Sequence, residues 1–178
     1  MKAASGGFAD PAGDRRDEAT APSVRFAPFT DVDFQAWLTQ AIPSYALTNV
    51  EDGRWSLAES IDKSREAHAL LLPQGLSTPG QFFVRLQRAD TGADVGALWW
   101  SENENAGVAE AYVYNLEIEP HARRLGFGRA ALLELERVAR ERGLRQVSLH
   151  VFGHNHGARR LYEALGFEPT SITLRKNL

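Results

Sequence analysis

The run Asn115-Leu116-Glu117-Ile118-Glu119-Pro120-His121-Ala122-Arg123-Arg124-Leu125-Gly126-Phe127-Gly128-Arg129 joins the end of a strand to the start of a helix through a loop with two glycines. Upstream, residues 109–118 are rich in Tyr and β-branched side chains and stop at Pro120, which cannot donate to a ladder. Downstream, Ala131, Leu132, Leu135, Val138 and Ala139 fall on one face of a helix that Gly143 ends. Residues 146–152 then alternate, with Val147, Leu149 and Val151 on one side and Ser148 and His150 on the other. A strand, a helix and a strand in this order predict a parallel pair joined by a right-handed crossover.

The rest of the chain supplies the partners of that unit. A strand over residues 24–29 leads to Thr30, placed to cap a helix with Asp33 at N3 and a buried stripe of Phe34, Trp37, Leu38 and Ala41. Pro43 and Gly53 are expected to break the following segment. Ser56 and Glu59 have capping-box spacing ahead of a second helix ending near Leu72. Strands over 82–88 and 95–101 flank a hairpin turn, and a strand over 171–175 is expected to close the chain. The fold class is therefore α/β (α+β): a mixed, mostly antiparallel sheet flanked by helices. Trp99 and Trp100, adjacent in a strand, must point to opposite faces.

Where strand turns to helix, backbone amides converge. Gly126 and Gly128 let the main chain approach a ligand closely, the helix dipole adds partial positive charge, and Arg123, Arg124 and Arg129 add full charges. Such a loop suits a phosphate. It lacks the Gly-Lys-Ser/Thr of a P-loop and the three glycines of a dinucleotide fingerprint. Charge is divided in the same sense. Residues 1–120 hold 9 basic and 18 acidic groups, whereas residues 121–178 hold 11 and 5, although the whole chain is only −3.

The segment Arg123-Arg-Leu-Gly126-Phe-Gly128 resembles motif A of the GCN5-related N-acetyltransferase (GNAT) family, Gln/Arg-x-x-Gly-x-Gly/Ala. The family's next block also follows at the expected distance, as Asn155-x-x-Ala158-x-x-Leu161-Tyr162-Glu163-Ala164-Leu165-Gly166-Phe167. Leu70-Leu-Leu-Pro-Gln-Gly-Leu-Ser-Thr-Pro-Gly looks like bacterial members known only as generic acetyltransferases. The resemblance implies acetyl-CoA as cosubstrate and a primary amine, on a small molecule or a protein, as acceptor, with direct transfer. It places the pyrophosphate on amides of Arg123, Arg124, Leu125, Gly126, Phe127 and Gly128, with Arg129 beside them. It also implies that the parallel strands splay at their ends, with the pantetheine arm between them on main chain of Leu116, Glu117 and Ile118, and Asn155 bonding it as well. Tyr162 becomes the acid that protonates the departing thiolate. For the base, some members carry Glu where this chain has His150, and Glu117 on the facing strand is the rival. Related sequences often read Tyr-Asp-Ile where this one has Tyr114-Asn115-Leu116, so a carboxylate role at 115 is absent.

Other classes of function recede on composition. The chain has no cysteine, which excludes disulfides, thiolate metal sites and a cysteine nucleophile. His150, His154 and His156 straddle a turn with no nearby Asp, Glu or Cys to complete a metal site. Arg137, Arg140, Arg142 and Arg145 alternate with Glu134, Glu136 and Glu141, an ordinary charged helix face and no nucleic-acid footprint. The absence of a long apolar stretch and of an apolar signal region points to a cytoplasmic protein without membrane contact. Residues 1–23 are expected to form a disordered tail and residues 24–178 one domain. Many members of the family pair as homodimers, but no interface signal stands in this sequence. Two alternatives stay beside the transferase: a CoA-binding sensor without turnover, and an enzyme for a longer acyl chain.

Overall fold

The computed structural model describes residues 21–176 of the chain. Five strands form one sheet in the order of the sequence: β1 (Val24–Pro28), β2 (Gln81–Arg88), β3 (Asp94–Asn105), β4 (Val108–Ile118) and β5 (Gln146–Leu149). The first four pair antiparallel, and β4 pairs parallel with β5 as the strand-helix-strand pattern requires. The helices are α1 (Asp31–Glu51), α2 (Leu57–Leu71), α3 (Phe127–Glu141) and α4 (His156–Glu163). The expected tail lies, up to residue 20, outside the described residues.

Local chemistry sets the helix starts. Thr30 Oγ1 accepts from Asp33 N at 3.2 Å, and the Asp33 carboxylate accepts from Thr30 N at 2.8 Å, a reciprocal capping box. The Thr30 hydroxyl, donating to Asp33 Oδ2 at 2.7 Å, and then Thr30 N hold the Asp33 carboxyl below its ordinary pKa, helped by Arg85. Ser56 and Glu59 form the same box on α2. At the other end of α4, Phe167 N bonds Tyr162 O and Gly166 N bonds Glu163 O, with Gly166 at φ 85°. That is a Schellman closure, and the Tyr162 and Phe167 rings lie 5.6 Å apart across it.

The two faces of the sheet carry separate cores. On one, Leu86, Leu98, Trp100, Ala111 and Val113 pack against Phe127, Ala131 and Leu135 of α3. On the other, Phe83 and Trp99 meet Phe34 and Trp37 of α1, with Trp37 and Trp99 edge to face at 5.4 Å. Trp99 and Trp100 thus serve opposite faces, each only 4% exposed. Fully burying a leucine such as Leu86 or Leu135 contributes about 2 kcal/mol, so the sheet is anchored from both sides.

Three expectations fail. Pro43 does not end the first helix: α1 runs through it to Glu51. A proline leaves a carbonyl without its usual donor, and α2 ties down this stretch, Ser64 Oγ donating to Ile42 O at 2.8 Å. The strand expected to residue 152 stops at Leu149, because β4 no longer lies beside it. The closing strand over 171–175 does not form. Ile172 and Leu174 alternate correctly but are 71% and 89% exposed, and the segment instead fastens through Arg175 Nη1 to Asp52 O at 2.9 Å.

What positions the site is a bulge. Trp99 pairs with Asn115 and Trp100 with Val113, so Tyr114 is an extra residue in β4. The β4–β5 pairing ends at this level, with Val113 opposite Leu149. Beyond it the parallel strands part.

Candidate active site

From Tyr114 to Ile118 the edge of β4 that faced β5 has no strand beside it among the described residues. Asn115 stands at the head of this opening, its Oδ1 buried and without a hydrogen-bond partner among the described residues. Leu116 and Ile118 turn their side chains to the α3 core, while Glu117 pairs with Ala97 on the α1 face. Gly96 makes that close approach of strands feasible, since a Cβ there would be 3.1 Å from both Glu117 C and Ile118 Cα and nearer still to Glu117 O.

At the end of β4 the chain enters a short 3-10 turn, Pro120–Ala122, and then reverses hand twice. Arg124 has φ 63° and Gly126 φ 89°. Left-handed residues in such a turn aim successive amides inward and form an anion-binding nest. Gly126 is the N-cap of α3, no side chain caps the helix, and its first turn holds no acid. The N–H groups of residues 126–129 are thus free of helical acceptors. Arg123 Nε folds back to donate to Ile118 O at 2.8 Å, which fixes the loop against β4. Phe127 is buried in the core, so only its amide faces outward, and Leu125 is exposed. Gly128 has a packing role as well: a Cβ would meet Leu161 at 3.3 Å, where α4 crosses the head of α3.

His150 follows the end of β5 and lies against Arg54 from the α1–α2 connection, with Arg54 Nη2 and His150 Nε2 3.3 Å apart. A guanidinium only donates, so Nε2 is the acceptor and the neutral ring carries its proton on Nδ1. Burial, then the Arg54 charge, lowers the His150 pKa, against a smaller opposing pull from Asp52. Arg54 is itself held by Asp52 at 2.6 Å and covers the Phe152 ring. Tyr162 is half-buried on the inner side of α4, and burial raises its pKa, which keeps the hydroxyl protonated. Asn155 caps α4, its Oδ1 accepting from Ala158 N at 3.1 Å. No hydrogen bond or ion pair joins His150 to Glu117.

The model of the Acetyltransferase (GNAT) family matches residues 45–167. The chain belongs to this family. It is 33% identical over 158 residues to the uncharacterized N-acetyltransferase YycN of Bacillus subtilis, covering 88% of this chain and 99% of YycN. YdgE of the same organism, also named an N-acetyltransferase, is 31% identical over 84% of this chain and 94% of its own length. The crystal structure of YycN superimposes with a TM-score of 0.82 over 88% of this chain and 99% of that one. A protein of Pyrococcus furiosus, 21% identical, shares the fold at a TM-score of 0.60 over 88% of this chain and 99% of its own.

This GNAT protein is therefore an acyltransferase, and members of its family use acetyl-CoA as cosubstrate. The residues present fit that molecule: amides of residues 124–128, in a left-handed nest and without acceptors among the described residues, meet the chemistry of a pyrophosphate, and an open strand edge leads from them to the buried Asn115 Oδ1. No described helix is long and apolar enough to cross a membrane. Sequence reasoning missed Arg54 and Asp52, which are remote from either motif and become neighbours of His150 only through folding. It also missed Glu110, 4% exposed on β4, whose Oε2 accepts from Gln146 Nε2 and Ser148 Oγ, both at 2.7 Å. The alternation of Glu110, Tyr112 and Tyr114 along one strand was the available signal.

Proposed function

We propose that the enzyme moves an acetyl group from acetyl-CoA directly to a primary amine. The observation that carries this reading is the coincidence of the Tyr114 bulge, the parting of β4 from β5 and the amide nest at residues 123–126 along one continuous edge. The thioester supplies an activated acyl group. Amides of residues 123–128 hold the pyrophosphate, main chain of Leu116, Glu117 and Ile118 holds the pantetheine, and an amide at Ile118 polarises the carbonyl. His150 takes the proton of the amine at Nε2, which first requires Arg54 to release that lone pair. Glu117, half-buried on the same sheet face as Tyr112, is the rival base. Tyr162, kept protonated by burial, gives its proton to the departing sulfur.

The test is thiol release from acetyl-CoA across a panel of amines, repeated with Tyr162→Phe. Loss of the acid is expected to lower kcat by roughly 10²–10⁴-fold. Tight CoA binding with no turnover on any amine would instead identify a sensor, and failure to bind CoA would reject both readings.

A further inference from the structure

The turn that follows α1 is fixed by main chain. Arg54 N and Trp55 N both donate to Asn49 O, at 2.9 and 3.3 Å, and Gly53 N donates to Val50 O at 2.9 Å. Asn49 is itself 1% exposed and bonds back to Tyr45 O through Nδ2 at 2.8 Å. Arg54 therefore springs from a rigid base, and its guanidinium meets three groups. Nε bonds Asp52 Oδ2 at 2.6 Å, Nη2 bonds His150 Nε2 at 3.3 Å, and Cζ lies 5.2 Å from the centroid of the Phe152 ring. That ring also stands edge to face with His150 at 5.0 Å, so it backs both members of the contact. Nε2 of a neutral imidazole has one lone pair. While it accepts from Arg54 it cannot accept from an amine, and the ring carries its proton on Nδ1.

A second arginine closes this turn from outside. Arg175 Nη1 donates to Asp52 O at 2.9 Å and lies so close over Gly53, at φ 67°, that a Cβ there would be 2.8 Å from it. Asp52 is thus held at its carbonyl by the C-terminal segment while its carboxylate holds Arg54. No strand or helix fastens residues 168–176, and Ile172 and Leu174 are exposed, so this contact is the segment's anchor on the α1–α2 connection. Resting on the transferase reading, in which His150 is the base, we infer that Arg54 is a latch on Nε2 of His150, set in its closed position by Arg175 through Asp52. The latch has two effects. It presets the tautomer in which Nε2 is the basic atom, and it makes an acceptor displace a guanidinium before reaching that atom. The C-terminal segment, with Arg175 standing 123 positions from Asp52 in the chain, thereby controls how readily the base is exposed.

Three measurements on the full-length protein test the latch, the first two without acetyl-CoA or amine. Diethyl pyrocarbonate, which acylates a free imidazole lone pair, is added at about pH 8, where an ordinary histidine is neutral. Modification of each histidine is followed by peptide mass spectrometry, with the exposed His121 as internal standard. His150 is expected to react up to about fivefold faster in Arg175→Ala, the range of an exposed contact, and faster still in Arg54→Ala. Both arginines are exposed, so neither variant disturbs the core. Equal His150 rates in the three proteins would overturn the inference, and a rise in Arg54→Ala alone would overturn the hold assigned to Arg175. In the second measurement, nitrogen NMR shifts of the His150 ring are expected to place its proton on Nδ1 in the unaltered protein and to move it toward Nε2 in Arg54→Ala. A proton already on Nε2 in the unaltered protein would overturn the inference. In the third, with the amine of the panel that releases thiol fastest, Arg175→Ala is expected to lower the acceptor KM by up to about fivefold at unchanged kcat, because more of the enzyme is open. A raised KM would make Arg175 merely structural and overturn its role. His150 signals that respond as expected in a protein releasing no thiol with any amine would reject the transferase reading and leave the latch standing. Thiol release with an unresponsive His150 would do the reverse.

Discussion

Replacing Gly96 by alanine tests the link between the sheet and the site. Gly96 pairs with Ile118, and its φ is not in the left-handed region, so the substitution brings no backbone strain. The penalty is steric: the new Cβ would be 3.1 Å from Glu117 C and Ile118 Cα and closer to Glu117 O than a non-bonded carbon can lie. All three are backbone atoms, so no rotamer change relieves the clash. The end of β4 must withdraw by on the order of 1 Å to restore normal contacts. Withdrawal stretches the Glu119 N to Val95 O bond, now 2.9 Å, and the ladder beside it. Overpacking costs about 1–3 kcal/mol and a lost internal hydrogen bond about 1 kcal/mol, so Gly96→Ala is expected to lose about 2–4 kcal/mol. In urea unfolding followed by tryptophan fluorescence, that is a midpoint lowered by roughly 1–2 M at unchanged slope. Affinity for acetyl-CoA should fall too, because Glu117 and Ile118 belong to the edge proposed to hold it. Gly153→Ala is the control, since a Cβ there meets nothing within 4 Å. Equal midpoints for the two variants would refute the reasoning.

Gly126→Ala forces a side chain onto φ 89° and against Pro22 Cγ at 2.8 Å, so KM for acetyl-CoA should rise about tenfold, the equivalent of roughly 1–2 kcal/mol of left-handed strain. Thr30→Ala removes the cap of α1 and is expected to cost about 1 kcal/mol in thermal or urea unfolding. If His150 is the base, kcat/KM rises with pH through a pKa below the ordinary histidine value, because only the neutral ring accepts a proton. Arg54→Gln removes the second cause of that depression and moves the acid limb to higher pH. An acid limb that stays in place in Arg54→Gln and vanishes in Glu117→Gln would transfer the role to Glu117.

Where neighbouring residues decide a structure, the sequence was a good guide. The capping residues Thr30 and Ser56, the apolar face of α3 and the left-handed Gly166 are each set within a few positions, and each formed as expected. The failures came where distant parts decide. Pro43 is tolerated inside α1, in a stretch that Ser64, in another helix, ties down. Ile172 and Leu174 have strand periodicity, but a strand exists only beside another, and β5 is four residues long. The site divides in the same way. The nest could be read from Arg123 to Gly128 because a loop and a helix start are local. The neighbours of His150 could not, since Arg54 lies 96 positions away in the chain.

The uneven charge of the chain is sharper in three dimensions than in one. Residues 121–145 hold seven arginines and three glutamates, an excess spread evenly along the sequence. Folding removes most of it from play. Arg137 is paired with Glu134 and Glu141, Arg140 with Glu136 and Arg142 with Glu102, while Arg123 is turned onto Ile118 O. Arg124, Arg129 and Arg145 make no ion pair among the described residues, and the first two flank the nest at the head of α3. At the other end of β4 a carboxylate, Glu110, is buried on the α1 face. β4 carries both ends: its last residues lead to the unpaired arginines and its first to the unpaired carboxylate. The Tyr114 bulge lies between them, at the level where the β4–β5 pairing ends. A single extra residue in one strand thereby lies between the arginine-rich end of β4 and its carboxylate end, the arrangement that the proposed transfer from a phosphorylated thioester to an amine would use.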